Sequence, residues 1–206
     1  MVDLWFPAVG RTLPSDHGYT LYGALCRVLP ALHDADWWGL HTVRGTRVMA
    51  GTISLSRAPR IGIRLPAEQI PTVLLLAGRR LDVAGHGIGL GAPTVEALAP
   101  ANAVSARIAT IKPFMEPEPF GSAVEKQLAE MEISGTVSVG ARKIVRIGGR
   151  SVVGFSLRVT GLSPEASICL QEKGLGGRRH MGCGVFRRSE RELAADARPA
   201  SEGETE

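Results

Sequence analysis

Residues 136–160 read TVSVGARKIVRIGGRSVVGFSLRVT. Gly148-Gly149 marks a tight β-turn, because two adjacent glycines tolerate the positive φ that such turns require. The flanking arms, Thr136–Ile147 and Ser151–Thr160, are then the two strands of a hairpin. In the second arm Val153, Phe155, Leu157 and Val159 alternate with polar positions such as Arg158, so one face is buried and the other carries charge. Upstream lie a strand at Val104–Ile111, a loop marked by Pro113, Pro117 and Pro119, and a helix over 120–131 with Val124, Leu128 and Met131 aligned. Downstream, Ser163-Pro164-Glu165 supplies a cap and a first-turn proline for another helix. A glycine-rich segment and a short strand, Gly184–Arg187, complete the order βαββαβ.

The first half repeats that order. Val2–Val9 is a strand of bulky residues, and a helix over 16–32 aligns Leu21, Leu25, Val28, Leu29 and Leu32. Short strands at Thr52–Ser56 and Arg60–Leu65 are split by Ala58-Pro59. Pro66 opens a second helix carrying Ile70, Val73, Leu74 and Ala77, which Gly78 ends; Arg80–Leu90 is extended again, with a turn near Gly85-His86-Gly87. The expected fold is α+β: two tandem ferredoxin-like (RRM-like) βαββαβ domains, residues 1–99 and 102–188, with a glycine-rich loop late in the second. That architecture serves many functions and names none.

Charge is distributed unevenly. The chain has a net charge of +4, yet residues 189–206 hold two arginines against six acids, leaving 22 basic and 14 acidic groups, or +8, over residues 1–188. A folded body this basic suits a polyanionic partner, and the acidic tail has the composition of a disordered segment. Cys26, Cys169 and Cys183 lack paired metal spacing and fit buried free thiols in a reducing compartment. No stretch is long and apolar enough to span a bilayer and the start is not a secretion signal, so a soluble, cytoplasmic protein without a membrane partner is expected. Acids are scattered, with no H-E-x-x-H or D-x-D arrangement, so neither a metal site nor a cofactor is expected.

Residues 174–184 read GLGGRRHMGCG, that is G-h-G, five residues, G-h-G, with h apolar. Glycines so spaced let a backbone turn with positive φ and approach phosphates, while Arg178, Arg179 and His180 between them are cationic donors. The segment lies between a helix and a strand, the reverse of a Rossmann fingerprint, and lacks the Gly-Lys-Ser/Thr of a Walker loop. Late in a tandem ferredoxin-like chain it resembles the signature of the RAMP superfamily of CRISPR-associated proteins. Within that superfamily the chain looks like the repeat-specific endoribonucleases that process precursor CRISPR RNA. The resemblance spans about residues 1–187 in element order.

A second stretch carries the same resemblance. Some members have an N-H-Q-Y-like start to the first helix, then an apolar-His-x-x-Lys-Gly segment, then a lysine. Here Asp16-His17-Gly18-Tyr19, Leu40-His41-Thr42-Val43-Arg44-Gly45 and Arg47 stand at those places without a gap. The resemblance nominates His41 as catalytic and Arg47 as its support, with Arg44 as a substitute. A tyrosine on the first helix assists in some relatives, but the matching position here is Cys26; either Tyr22, one turn earlier, substitutes or the role is absent, and His17 at the helix start is either a hydrogen-bonding residue there or a further catalytic candidate.

The implied chemistry suits these residue types. A 2′-hydroxyl attacks its neighbouring phosphate and leaves a 2′,3′-cyclic phosphate and a 5′-hydroxyl, which requires alignment, proton transfer and cationic support. Imidazole titrates near neutrality, and an arginine fork grips phosphate oxygens. The expected RNA-binding set is Arg44, Arg142, Lys143, Arg146 and Arg158, with Arg150 beside them, together with Gly174, Gly176, Arg178, Arg179, His180, Gly182 and Gly184. The implied partners are CRISPR repeat RNA, its crRNA product and other CRISPR effector subunits. An alternative is a non-catalytic RAMP-type crRNA-binding subunit.

Overall fold

The computed structural model describes residues 1–188 except 44, 50, 56 and 57, and it leaves the side chains of residues 47–49 undescribed. Arg44, the Arg47 side chain and the acidic tail thus lie outside the described residues. The N-terminal half contains β1 (Val2–Val9), β2 (Thr12–Pro14), α1 (Gly18–Val28), β3 (Gly39–His41), β4 (Thr46–Met49), β5 (Thr52–Ser54) and β6 (Arg60–Leu65). It continues with α2 (Ile70–Val73), β7 (Arg80–Val83), β8 (His86–Leu90) and β9 (Thr94–Ala97). The C-terminal half is β10 (Ala103–Ala109), α3 (Pro117–Glu130), β11 (Thr136–Ile147), β12 (Arg150–Thr160), α4 (Pro164–Lys173) and β13 (Arg187–Arg188).

Both halves are ferredoxin-like. The second sheet has the order β11-β12-β10-β13, so the first and third strands of the βαββαβ unit are central. The first sheet runs β3-β6-β1-β8-β7, with β9 also on β1, which is the same arrangement with the fourth-strand position shared by β8 and β9. A small sheet, β2-β5-β4, stands apart. Buried apolar side chains form one cluster drawn from Leu4 to Leu90 and another from Val104 to Phe186. No helix among the described residues is long and apolar enough to cross a membrane.

Local chemistry moved several boundaries. The first helix stops at Val28 because Pro30 offers no N–H to an α-helical bond, and a 3-10 turn over Pro30–Leu32 follows. Pro71 likewise prevents one continuous second helix, leaving α2 between 3-10 turns at Ala67–Gln69 and Leu74–Leu76. The last strand is Arg187–Arg188, not Gly184–Arg187, since Gly184 takes φ +66° and its carbonyl accepts from Leu175 N–H within the loop. Strands β2, β3 and β4 are too short for hydrophobic periodicity to announce them.

Candidate functional site

The first sheet has an apolar face and a charged one. Leu4, Phe6, Leu40, Ile61 and Ile63 belong to the core cluster. On the other face, register sets Trp5 opposite Gly62 and Gly62 opposite His41. Glycine is required there: a Cβ on Gly62 would lie 2.3 Å from a Trp5 ring carbon. With that space open, Trp5 and His41 stack across the intervening strand at 4.8 Å between centroids. The guanidinium of Arg187 sits 4.6 Å from the Trp5 ring centroid, and that of Arg60 at 5.0 Å.

One row along the same face, Asp3 pairs with Arg64. Arg64 grips the Asp3 carboxylate through Nε (2.8 Å) and Nη2 (2.7 Å), and Nη1 donates to the carbonyls of Gln171 (2.7 Å) and Phe186. A buried guanidinium thereby ties the N-terminal sheet to the C-terminal half. His41 Nε2 donates to Asp3 Oδ1 at 2.9 Å. Burial alone would raise the Asp3 carboxyl, but the hydrogen bonds from His41 and Arg64 outweigh it and hold the group well below the usual carboxylate range. His41 is only 5% exposed, and burial, partly offset by Asp3, lowers its pKa to about 4. At neutral pH the ring is neutral with its proton held on Nε2, which makes Nδ1 the acceptor.

His41 lines a cleft of about 600 Å³ between the two halves. Its other wall is the exposed face of the second sheet. Register there aligns Ser138 with Arg158, Arg158 with Ser105, and Ser105 with Arg187, giving a Ser–Arg–Ser–Arg row across four strands. All four residues line the cleft, as do Arg107, Lys143 and Arg188. Arg158 Nε is buried with no hydrogen-bond partner among the described residues. Lys143 Nζ donates to Arg107 O at 2.9 Å; burial, then the charge of Arg107, lowers its pKa. Such a wall of cations and hydroxyls matches a phosphodiester chain.

The glycine loop borders this cleft through Gly182, but its amides do not open into it. Gly174 N–H donates to Leu170 O, Gly176 to Gln127 Oε1, Gly182 to Arg179 O and Gly184 to Ile108 O. Each of these four amides, expected to cradle phosphates, is satisfied within the protein in this structure. The glycines serve close packing instead. A Cβ on Gly184 would fall 1.9 Å from Leu175 O, and one on Gly182 would fall 2.5 Å from Thr42 Cγ2. The loop is a brace that sets its short 3-10 turn, Arg179–Met181, against β3 and α1.

The remaining predicted residues separate into groups. Lys143 and Arg158 face the cleft, but strand alternation sends Arg142 and Arg146 to the opposite face, where both are exposed. Arg150 is exposed at the start of β12, next to the hairpin turn. His17 Nδ1–H donates to Pro14 O (2.8 Å) and Nε2 accepts from Val43 N–H (3.0 Å), so both nitrogens of this buried ring are occupied. In this arrangement His17, expected as a proton-transfer candidate, positions the segment after β3. Tyr22 Oη donates to His33 O (3.1 Å), and burial foremost pushes its pKa up to about 12. The ring packs 4.8 Å from His180 and lines a different cavity from His41. Arg179 is anchored on Glu172 O at 2.6 Å, and Arg178 Nη1 lies 3.4 Å from Thr110 Oγ1.

Sequence reasoning missed Asp3, Trp5, Arg64, Arg107, Arg187 and Arg188. A signal existed for two of them: Asp3 stands between Val2 and Leu4 and Arg64 between Ile63 and Leu65, charged positions flanked by apolar ones, where a buried partner is required. Among the described residues no three His, Cys, Asp or Glu side chains converge as metal ligands.

Comparisons with known proteins agree with this architecture. Residues 2–190 match the family described as Cas6 Crispr. The chain is 43% identical over 185 residues to the CRISPR-associated endonuclease Cas6 of Myxococcus xanthus (strain DK1622), covering 90% of this chain and 80% of that protein. Among solved structures, a CRISPR associated protein Cas6 is similar with a TM-score of 0.68 at 13% identity, over 91% of this chain and 99% of that one. A Cas6-related protein from Pyrococcus furiosus gives a TM-score of 0.65 at 12% identity, over 92% and 98%. The structural likenesses bear on the fold alone.

Proposed function

Because the chain belongs to the Cas6 family, we propose that it is an endoribonuclease that binds the repeat of precursor CRISPR RNA and cuts it, without a metal ion, to release guide RNA in the cytoplasm. The observation that carries this reading is the Ser138–Arg158–Ser105–Arg187 row, whose last arginine stacks on Trp5 beside His41. In this reading residues 1–99 supply the proton-transfer group, residues 102–188 supply the grip, and the RNA runs between them.

His41 Nδ1 accepts the 2′-hydroxyl proton while Asp3 holds Nε2 and fixes the ring. The 2′-oxygen attacks the adjacent phosphorus, and Arg158 and Arg187 carry the charge that builds on the phosphoryl oxygens. The P–O5′ bond breaks, the leaving oxygen takes a proton from Lys143, and the products are a 2′,3′-cyclic phosphate and a 5′-hydroxyl. Lys143 suits that step because burial and Arg107 make its ammonium more acidic than a free lysine.

A second reading is favoured by the burial of His41: a crRNA-binding subunit that holds the guide for other CRISPR effector subunits without cutting it. Repeat RNA incubated with the protein in excess chelator separates the two. Cutting is expected, and a 2′-deoxy nucleotide at the scissile position should abolish it. Binding without cutting selects the second reading, and cutting that needs magnesium rejects the mechanism.

A further inference from the structure

A second cavity of about 600 Å³ opens on the other side of the glycine loop, between α1 and β7. Its wall is aromatic. Tyr19 and Tyr22 lie 6.5 Å apart at 31°, and Tyr22 lies 6.2 Å from His33 at 33°. Tyr22 is buried behind Trp38 and His180, whereas Tyr19 is 38% exposed and the His33 side chain 67% exposed, so two ring faces are left to solvent. The rings are pre-positioned: the Tyr22 Oη bond to His33 O pins the 3-10 turn over α1. At the rim, Arg27 Nη2 donates to Asp82 O (2.6 Å), and Asp82 Oδ1 accepts from Gly85 N–H (2.7 Å). A guanidinium and a carboxylate beside open ring faces offer a donor and an acceptor to the edge of a flat heteroaromatic ring.

Two protein elements join this cavity to the basic cleft. The hairpin β11–β12 carries Lys143 in the cleft, and its turn reaches α1. There Asp16 Oδ2 accepts from Arg146 N–H (2.6 Å), and a Cβ on Gly148 would stand 3.9 Å from Tyr19 Oη. The glycine loop likewise presents Gly182 to the cleft and His180 to Tyr22. A chain lying in the cleft and following the hairpin arrives at Tyr19.

We infer that the cavity between α1 and β7 receives one unpaired nucleobase of the RNA whose backbone lies in the cleft, stacked on Tyr19 and His33 with its edge toward Arg27 and Asp82. This rests on the repeat-RNA reading above. A base within a duplex has both faces covered, so the ligand is a nucleotide in a single-stranded stretch. Stacking is sequence-tolerant, and the Arg27–Asp82 edge adds preference for a base that presents both an acceptor and an amino donor.

The test uses the full chain and repeat RNAs carrying one abasic nucleotide at each position in turn, with binding measured for the wild type, Tyr19→Leu and Arg158→Ala. The wild type should lose about 10-fold or more in affinity at one or two adjacent unpaired positions, the cost of a lost stacked base. Tyr19→Leu should show the same loss on intact RNA and none further on those abasic RNAs. Arg158→Ala, which touches the backbone path, should weaken every RNA by one common factor. Additive losses for Tyr19→Leu, or wild-type affinity on intact RNA, overturn the inference while leaving the repeat-RNA reading in place. A wild type that does not bind repeat RNA at all sinks that reading and this one with it.

Discussion

Asp3 Oδ1 accepts a hydrogen bond from His41 Nε2 at 2.9 Å while the same carboxylate is clamped by Arg64. The pair joins the candidate catalytic ring to the contact between the two halves, so stability and activity are coupled at one carboxylate. Asp3→Asn leaves the Arg64 guanidinium buried without its counter-ion, which costs about 3–5 kcal/mol. Chemical denaturation should show that loss, whereas Arg158→Ala should change stability by no more than about 0.5 kcal/mol.

His41→Gln addresses the chemistry directly. Removing the proton acceptor should lower the single-turnover cleavage rate by about 100-fold or more with repeat-RNA affinity within about 2-fold of wild type. An unchanged rate would assign the proton transfer elsewhere in the cleft.

Acid should destabilise the fold in two stages. The His41 pKa is about 4 in the folded protein against an ordinary value near 6.5, so the unfolded chain binds the proton first as pH falls. Its contribution is complete above about pH 6.5 and is lost between there and pH 4, amounting to roughly 3 kcal/mol. His17, lowered chiefly by burial, acts in the same direction. Asp3 adds a second loss only as pH falls below about 4, where the unfolded carboxyl takes up a proton and the folded one resists. Denaturation midpoints measured from about pH 7.5 to about pH 2 should show both stages, and His41→Gln should flatten the first.

Salt dependence of RNA binding should distinguish the two faces of the hairpin. Arg158→Ala removes a cleft cation and should reduce the log–log salt slope by about 0.7–0.9, the value for one phosphate contact. Arg142→Ala, on the opposite face, should leave the slope unchanged. Equal effects would mean that the RNA wraps both faces.

Gly184→Ala tests the loop as a brace. The residue has φ +66° and its Cβ would collide with Leu175 O, so strain alone costs about 1–3 kcal/mol. A variant with wild-type stability in thermal unfolding would contradict that packing role.

Much of the fold was legible because it depends on local rules. The Gly148-Gly149 turn, the alternation of Val153, Phe155, Leu157 and Val159, and the Ser163 cap act within a few residues, and each stands in the structure where the chemistry puts it. The glycine loop was legible as a pattern but not in the packing it serves. Spacing alone reports that a side chain is forbidden, and both a phosphate and a neighbouring carbonyl forbid it; the contact between Gly184 and Leu175 selects the carbonyl.

The primary structure by itself determined the second βαββαβ unit, the first except for its second strand (β3, in place of Thr52–Ser56), the basic charge of the folded body and the need for glycine at 174, 176, 182 and 184, since turn chemistry, alternation and capping operate between near neighbours. Only the tertiary structure decided that Asp3, Arg64 and His41 meet, that Arg158 and Arg187 share a row with Ser105, and that Tyr22 faces away from His41. Such contacts join residues far apart in the chain, 122 positions between Arg64 and Phe186. They follow from strand register and from packing one sheet on another, which no local pattern encodes.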